Sequence, residues 1–262
     1  MLVTDEDYQN HKIFEELDRY SEFYKALAFS IFQYASLGTG AIFNSDSYVL
    51  SSMQGTLESI RMILKSGRIN DAYALLRKFH DSSIINIYCA VYLKEHFSIE
   101  NIVVEKIHAW LTGKEAIPEF RIMSQYIKGS DLVRPVHELL NKDDRYKALR
   151  KRCNNHTHYN FYHHVLLNDN EIYLDARKDW LNIMSRDVLN LVILHLGYVF
   201  YHNWQYLMSS DYLDALECQM QPEEGSQYWV APFIQSMFDE VITPARPDLT
   251  ALIKESTSMQ LN

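Results

Sequence analysis

The sequence predicts an all-α protein, because residues that interrupt helices are scarce and apolar residues recur at helical spacing. The 262 residues include only 8 glycines and 6 prolines, the two residue types that helix interiors tolerate least. Hydrophobic residues make up 47% of the chain and charged residues 23%, which is typical of a folded globular protein. No internal repeat or linker divides the chain, so we expect a single helical domain over residues 1–262.

The first half of the chain predicts three long helices, whose expected spans are residues 6–37, 46–66 and 70–91. Gly38 and Gly40 would end the first helix, and Gly67 would end the second. Asn70 or Asp71 would cap the start of the third. Because only a few residues join the second helix to the third, we expect these two helices to pack antiparallel.

The middle of the chain predicts shorter elements. Residues 100–140 carry short apolar segments separated at Pro118 and Pro135, since proline interrupts a helical pattern. A further helix is expected from about Asp143.

The remainder predicts one possible strand pair and more helices. Residues 165–175 alternate less like a helix and carry turn-forming residues at their centre, so we predict a small β-hairpin there. A long buried helix is expected over 177–208. Two C-terminal helices, separated by residues 243–247, would form an extension over about 222–262.

Residues 145–164, RYKALRKRCNNHTHYNFYHH, contain the densest group of chemically active side chains in the chain. Six cations lie between positions 142 and 152 beside two aspartates, although the net charge of the protein is −9. A surface this acidic cannot bind nucleic acid everywhere, so any such binding must be local. Arg145, Lys147 and Lys151 are the candidate contacts to RNA phosphates.

An arginine and a histidine in this stretch could together cleave RNA without a metal. A guanidinium can hold a phosphate and stabilise the charge that develops on it, and an imidazole can move the proton of the 2′-hydroxyl near neutral pH. Arg152 and His158 stand six positions apart, and Arg150 and His156 repeat this spacing two residues earlier. Both registers are candidates.

The segment RCNNHTH, residues 152–158, resembles the R-x4-6-H signature of the HEPN superfamily, which includes many metal-independent ribonucleases of toxin and antiviral systems. Residues 66–82, SGRINDAYALLRKFHDS, are similar to the helix that precedes the motif in uncharacterised HEPN-like proteins. The resemblance covers about residues 46–205.

This resemblance implies a helical bundle that forms a homodimer, with two motifs facing one shared cleft. It implies a metal-independent endoribonuclease that needs no cofactor, in which Arg152 and His158 are catalytic. Asn154 or Asn155 would be the polar residue that often follows the arginine. RNA would be the substrate, in toxin or antiviral defence, and an antitoxin or another protein could be a partner.

Other interpretations of the same residues remain open. The stretch could be a solvated basic helix, or part of a non-catalytic HEPN-like module that binds a nucleotide or an acidic protein. Arg77 and Asp81 are spaced i and i+4, so they could form an ordinary ion pair or support the site. A metal site would use imidazoles at close spacing, but carboxylates in a known pattern are missing nearby. Its candidate ligands are His156, His158, His163 and His164.

The cysteines and the N-terminus favour a cytoplasmic protein. Cys89, Cys153 and Cys218 are widely spaced and form no CxxC pair, which argues against a disulfide scaffold and a thiolate zinc site. The N-terminus lacks the features of a signal peptide. The most apolar run, residues 188–200, is short for a membrane span, so we expect a buried helix instead.

Overall fold

The computed structural model describes residues 1–34 and 45–262, and within these ranges all of the regular elements are helical. The predicted all-α class is therefore confirmed. Gly38 and Gly40, the expected end of the first helix, lie outside the described residues. In chain order the α-helices are α1 (Glu6–Gln9), α2 (Ile13–Tyr34), α3 (Ser45–Lys65), α4 (Ile69–His96), α5 (Glu105–Leu111), α6 (Phe120–Gly129), α7 (Arg134–Leu140), α8 (Arg145–Thr157), α9 (Tyr162–Leu166), α10 (Arg177–His202), α11 (Asp211–Glu217), α12 (Pro232–Met237), α13 (Thr243–Ala245) and α14 (Pro247–Ser256).

Helix α10 lies at the centre of the bundle and contacts α2, α4, α7, α8 and α14. Apolar side chains along this helix are buried, including Leu191, Leu196 and Phe200. By length and composition α10 could cross a membrane, but 78% of its most apolar window is buried inside the fold. This confirms the predicted buried helix, although it ends at His202 rather than near 208. A 3-10 turn, Trp204–Leu207, follows.

Helices α3 and α4 pack along one another and are joined at Gly67. Gly67 has φ of +84°, a left-handed conformation that glycine adopts without strain, so the predicted stop is confirmed. The predicted cap of α4 is wrong. The helix begins at Ile69, one residue before Asn70, and its N-cap Arg68 makes no side-chain cap bond. The Asn70 side chain is instead engaged by His156.

The hairpin predicted for residues 165–175 is wrong, because that segment contains the end of α9 followed by turns. The Asp169 carboxylate accepts backbone N–H groups of Glu171 and Ile172. The buried Arg177 guanidinium donates to the carbonyl oxygens of Asp169 and Ile172, both at 3.0 Å. These side-chain bonds take up backbone groups that a strand ladder would need.

Two other boundaries differ from the prediction. The first helix is divided into α1 and α2. The predicted separator 243–247 is largely helical, since α13 occupies Thr243–Ala245 and Pro247 opens α14. A π-helical turn, Phe238–Ile242, precedes α13. Short helices do form across 100–140, with Pro135 in the first turn of α7 as its missing N–H allows.

Candidate nucleic-acid interface

Helix α8 carries the basic stretch and directs its residues to two different sides. Successive helix positions are about 100° apart, so Lys147, Lys151 and His158 fall within about 40° of one another around the axis. All three are exposed. Arg152 and His156 lie on the opposite side, where α8 contacts α4 and α10. The sequence motif therefore divides into an exposed group and a group that faces the core.

Arg152 is bound to a buried carboxylate. Its Nε and Nη2 atoms each donate to Asp187 of α10 at 2.7 Å, and the Asp187 side chain is only 1% exposed. Tyr73 of α4 donates a further hydrogen bond to the same carboxylate at 3.2 Å. The hydrogen bonds to Asp187 raise the pKa of Arg152 above its ordinary value. Asp187 therefore compensates the charge that the predicted catalytic arginine would offer to a phosphate.

His156, the histidine of the alternative register, is fully buried between aromatic rings. It stacks on Tyr73 at 4.0 Å and on His164 at 3.9 Å, measured between ring centroids. Its Nδ1–H donates to Asn70 Oδ1 at 2.9 Å, and its Nε2 has no hydrogen-bond partner. Burial, followed by the neighbouring His164 and His163, lowers the pKa of His156 to about 3. The ring is therefore neutral at pH 7.

Arg150, the arginine of the alternative register, lies against α4 and α6. It donates to Asp81 at 2.6 Å, and its guanidinium carbon sits 3.3 Å from the centroid of the Phe120 ring. The predicted pair of Arg77 and Asp81 does form, but at the longer distance of 3.9 Å. Asp81 thus bridges two arginines and fastens α8 to α4.

His158 stands at the C-cap of α8, and its side chain is exposed. Among residues 1–34 and 45–262, no hydrogen bond links His158 to Arg152. Six positions along one helix place side chains about 120° apart, which explains why these two diverge. Of the predicted polar neighbours, Asn154 has a buried Oδ1 without a partner, and Asn155 accepts a bond from Asn160 at 3.0 Å.

The other predicted phosphate contacts are all on α8, but they differ in side-chain exposure and in how closely a carboxylate pairs with them. Arg145 makes a two-pronged ion pair with Asp143, with Nη2 2.7 Å from Oδ2. The Lys147 side chain is 85% exposed, with its nearest carboxylate, Asp144, at 3.9 Å. Lys151 is exposed, which leaves the two lysines as the accessible cations.

The connection from α8 to α9 and the first residue of α9 expose aromatic side chains that the sequence analysis did not assign to the site. Tyr159, which has φ of +48°, is 45% exposed, Phe161 is 53% exposed and Tyr162 is 76% exposed. An aromatic run flanked by asparagine and histidine was the available signal. Helical periodicity does not apply to a loop, so it could not predict whether these rings are buried or exposed.

Two further residues of the site were also missed. Asp187 is a carboxylate beside an apolar run, a pattern that could have marked it as a buried ion-pair partner. Trp180 packs edge-on against His156 with ring centroids 5.0 Å apart, and no sequence feature indicated this contact.

The histidines of the stretch do not form a metal site. In the described ranges 1–34 and 45–262, no group of three or more histidine, cysteine, aspartate or glutamate side chains could hold a metal ion. His156 and His164 stack face to face rather than pointing their nitrogen atoms at a common position.

Comparison of the chain with protein-family models, curated proteins and solved structures finds no match. The HEPN resemblance therefore stays a hypothesis that rests on the motif residues.

Proposed function

We propose that the chain is a HEPN-like helical module that binds single-stranded RNA on the exposed side of α8 and on the connection to α9. The observation that carries this proposal is the alignment of Lys147, Lys151 and His158 along one exposed side of α8, together with the exposed rings of Phe161 and Tyr162 at the connection to α9. We refer to these five residues as the α8 strip.

The α8 strip combines the two features that sequence-tolerant RNA binding requires. Lys147 and Lys151 supply exposed cations for phosphates. Exposed aromatic faces allow bases to stack, at about 1–3 kcal/mol per base. Because the protein as a whole is acidic, with net charge −9, binding would be confined to this strip.

The core-facing half of the motif favours binding over cleavage. A catalytic arginine must present positive charge to the developing phosphorane, but the Asp187 carboxylate compensates the charge of Arg152 at 2.7 Å. His156 is buried and neutral. In this proposal both residues stabilise the packing of α8 against α4 and α10.

Fluorescence anisotropy with a labelled oligouridylate of about 12 nucleotides, in EDTA, tests the proposal. We expect Tyr162→Ala to weaken binding by about fivefold or more without changing its salt dependence, because stacking releases no counterions. Lys151→Ala should lower the slope of log affinity against log salt by about 0.7, the value for one phosphate contact on a single strand.

Lys25→Ala on α2 is the matched control, since that lysine is also exposed, at 65% of its side chain. It should leave both affinity and slope unchanged. Equal effects of Lys25→Ala and Lys151→Ala on RNA affinity and salt slope would show non-specific electrostatic attraction. This result would reject the α8 strip as the RNA-binding site. If Tyr162→Ala changes the oligomeric mass in sedimentation but not RNA affinity, the aromatic residues belong to a homodimer contact instead.

The second candidate is the metal-free ribonuclease. It is favoured by one observation. Asp187 engages two N–H groups of the Arg152 guanidinium, whose side chain is 29% exposed. A guanidinium has five N–H groups, so others remain to hold a phosphate. Wild type and His158→Ala should be incubated with total RNA in EDTA. Cleavage that His158→Ala abolishes, leaving cyclic phosphate ends, would establish the nuclease; intact RNA that is nevertheless bound would establish the module.

A further inference from the structure

A cavity of about 250 Å³ lies between α8 and α6, with α4, α7 and α10 forming its other walls. Its apolar surface comes from Ile84, Phe120, Ile127 and Leu194. Lys147 is the one described residue that both lines this cavity and belongs to the α8 strip. An engineered apolar cavity of about 150 Å³ is known to hold benzene, so a substituted aromatic ring fits the available volume.

The charged side chains that line this cavity are all basic. Arg150 and Lys147 both contribute to the wall, and none of the lining residues that the structure describes is a carboxylate. Arg150 is fixed by Asp81 and by the Phe120 ring, whereas the Lys147 side chain is 85% exposed. In a protein with net charge −9, such a lining is complementary to an anion.

Three residues around the cavity also hold a buried polar atom without a hydrogen-bond partner: Nδ1 of His80, Oγ of Ser124 and the hydroxyl of Tyr146. His80 is 4% exposed and Tyr146 is 6% exposed. These three atoms are closed to solvent in the unliganded fold, so an occupant would bond to them only after their side chains turn toward it. Unpartnered buried polar atoms are unfavourable, so such a rearrangement would be favoured.

The protonation states of these groups define which substituent they could recognise. Burial, followed by the nearby charges of Arg150 and Arg77, lowers the pKa of His80 to about 3. Burial raises the pKa of Tyr146 to about 12. Both are uncharged at pH 7, and each can donate or accept a hydrogen bond. They suit a hydroxyl or carbonyl group rather than a second charge.

We propose that this cavity binds a small aromatic acid, with its ring against Phe120 and Ile127, its carboxylate toward Lys147 and Arg150, and a polar ring substituent toward Tyr146 and His80. The proposal goes beyond RNA binding and does not depend on it. Ordered water is the competing occupant.

Calorimetric titration of the full chain with 4-hydroxyphenylacetate tests the proposal, alongside two related probes. Phenylacetate lacks the hydroxyl group, and 4-hydroxyphenethyl alcohol lacks the charge. We expect 4-hydroxyphenylacetate to bind, and the neutral alcohol to bind about tenfold more weakly because it loses a charge-assisted hydrogen bond.

Variants distinguish a binding role from a structural one. Tyr146→Phe should weaken 4-hydroxyphenylacetate but not phenylacetate, while leaving the unliganded protein as stable as wild type or more stable, because it removes an unpartnered hydroxyl. Ser124→Phe should fill the cavity and abolish binding of both acids. Its affinity for oligouridylate should be unchanged, which separates this site from the α8 strip.

Two results would overturn the proposal. One is that none of the three probes binds at millimolar concentration, which would leave water as the occupant. The other is that Ser124→Phe binds 4-hydroxyphenylacetate as well as wild type does, which would place the acid elsewhere on the protein.

Discussion

At the scale of single residues, neighbouring cations of one motif have different roles because they lie on different sides of α8. Lys151 is exposed, whereas Arg152 contacts a carboxylate that is 1% exposed. We predict that Arg152→Ala lowers the free energy of unfolding by about 3 kcal/mol, because it leaves the Asp187 charge buried without its counter-ion and with only the Tyr73 hydroxyl as a donor. Lys151→Ala, the matched control, should change it by less than about 0.5 kcal/mol. Urea denaturation measures both values.

A double variant tests the reason for that loss. Combining Arg152→Met with Asp187→Leu removes both charges and leaves apolar side chains of similar size, so most of the stability should return, apart from the hydrogen bond that the buried Tyr73 hydroxyl loses. If the double variant is as unstable as Arg152→Ala, the loss came from packing rather than from an unpaired charge. The same measurement would then require a different account of why Arg152 faces the core.

At the scale of helices and turns, Gly67 determines how α3 and α4 meet. A side chain at this position would collide with Val3 and approach Asn170 Cβ to 3.1 Å, and the φ of +84° would strain it. We predict that Gly67→Ala lowers the free energy of unfolding by about 1–3 kcal/mol. Gly55→Ala, within α3 and with nothing within 4 Å of the new methyl group, should raise it by about 0.5–1 kcal/mol. Thermal denaturation of both variants checks that the two substitutions change stability in opposite directions.

These elements also show how far sequence reasoning reached. The long helices and the Gly67 stop could be predicted because spacing and backbone freedom are local properties. The hairpin prediction failed because Arg177, outside the segment, binds its carbonyl groups. The candidate site was found as a set of residue types, but the partners Asn70 and Asp187 lie 86 and 35 positions from the residues they bind. A sequence motif does not specify which side of its helix will be buried against other helices.

At the scale of the whole molecule, one apolar cluster extends from Val3 to Leu261 and encloses several histidines. Burial lowers the pKa of His80, His156 and His195 to about 3 each. None of the three has a carboxylate among the causes of its shift. The fold therefore holds three imidazoles that must stay neutral, and its stability is tied to pH.

The sign of this dependence follows from the direction of the shifts. Each folded-state pKa, about 3, lies below the ordinary value of about 6.5, so the unfolded chain binds more protons between these two values. We predict that the free energy of unfolding is independent of these groups above about pH 7 and falls as pH drops toward 3. Each histidine contributes a slope of up to about 1.4 kcal/mol per pH unit. Urea denaturation from pH 7.5 to pH 4.5 measures the total, to which titrating carboxylates also contribute.

Comparison with His80→Leu isolates one histidine from the acids that titrate in the same window. This variant removes a buried imidazole whose Nδ1 has no partner, so its slope should be smaller than that of wild type by up to about 1.4 kcal/mol per pH unit. His158→Ala changes an exposed ring and should reproduce the wild-type slope. Equal slopes for wild type and His80→Leu would mean that His80 is protonated within the folded protein. The position of the His80 ring beside Arg150 would then be wrong, because a charged imidazole there would face the guanidinium groups of Arg150 and Arg77.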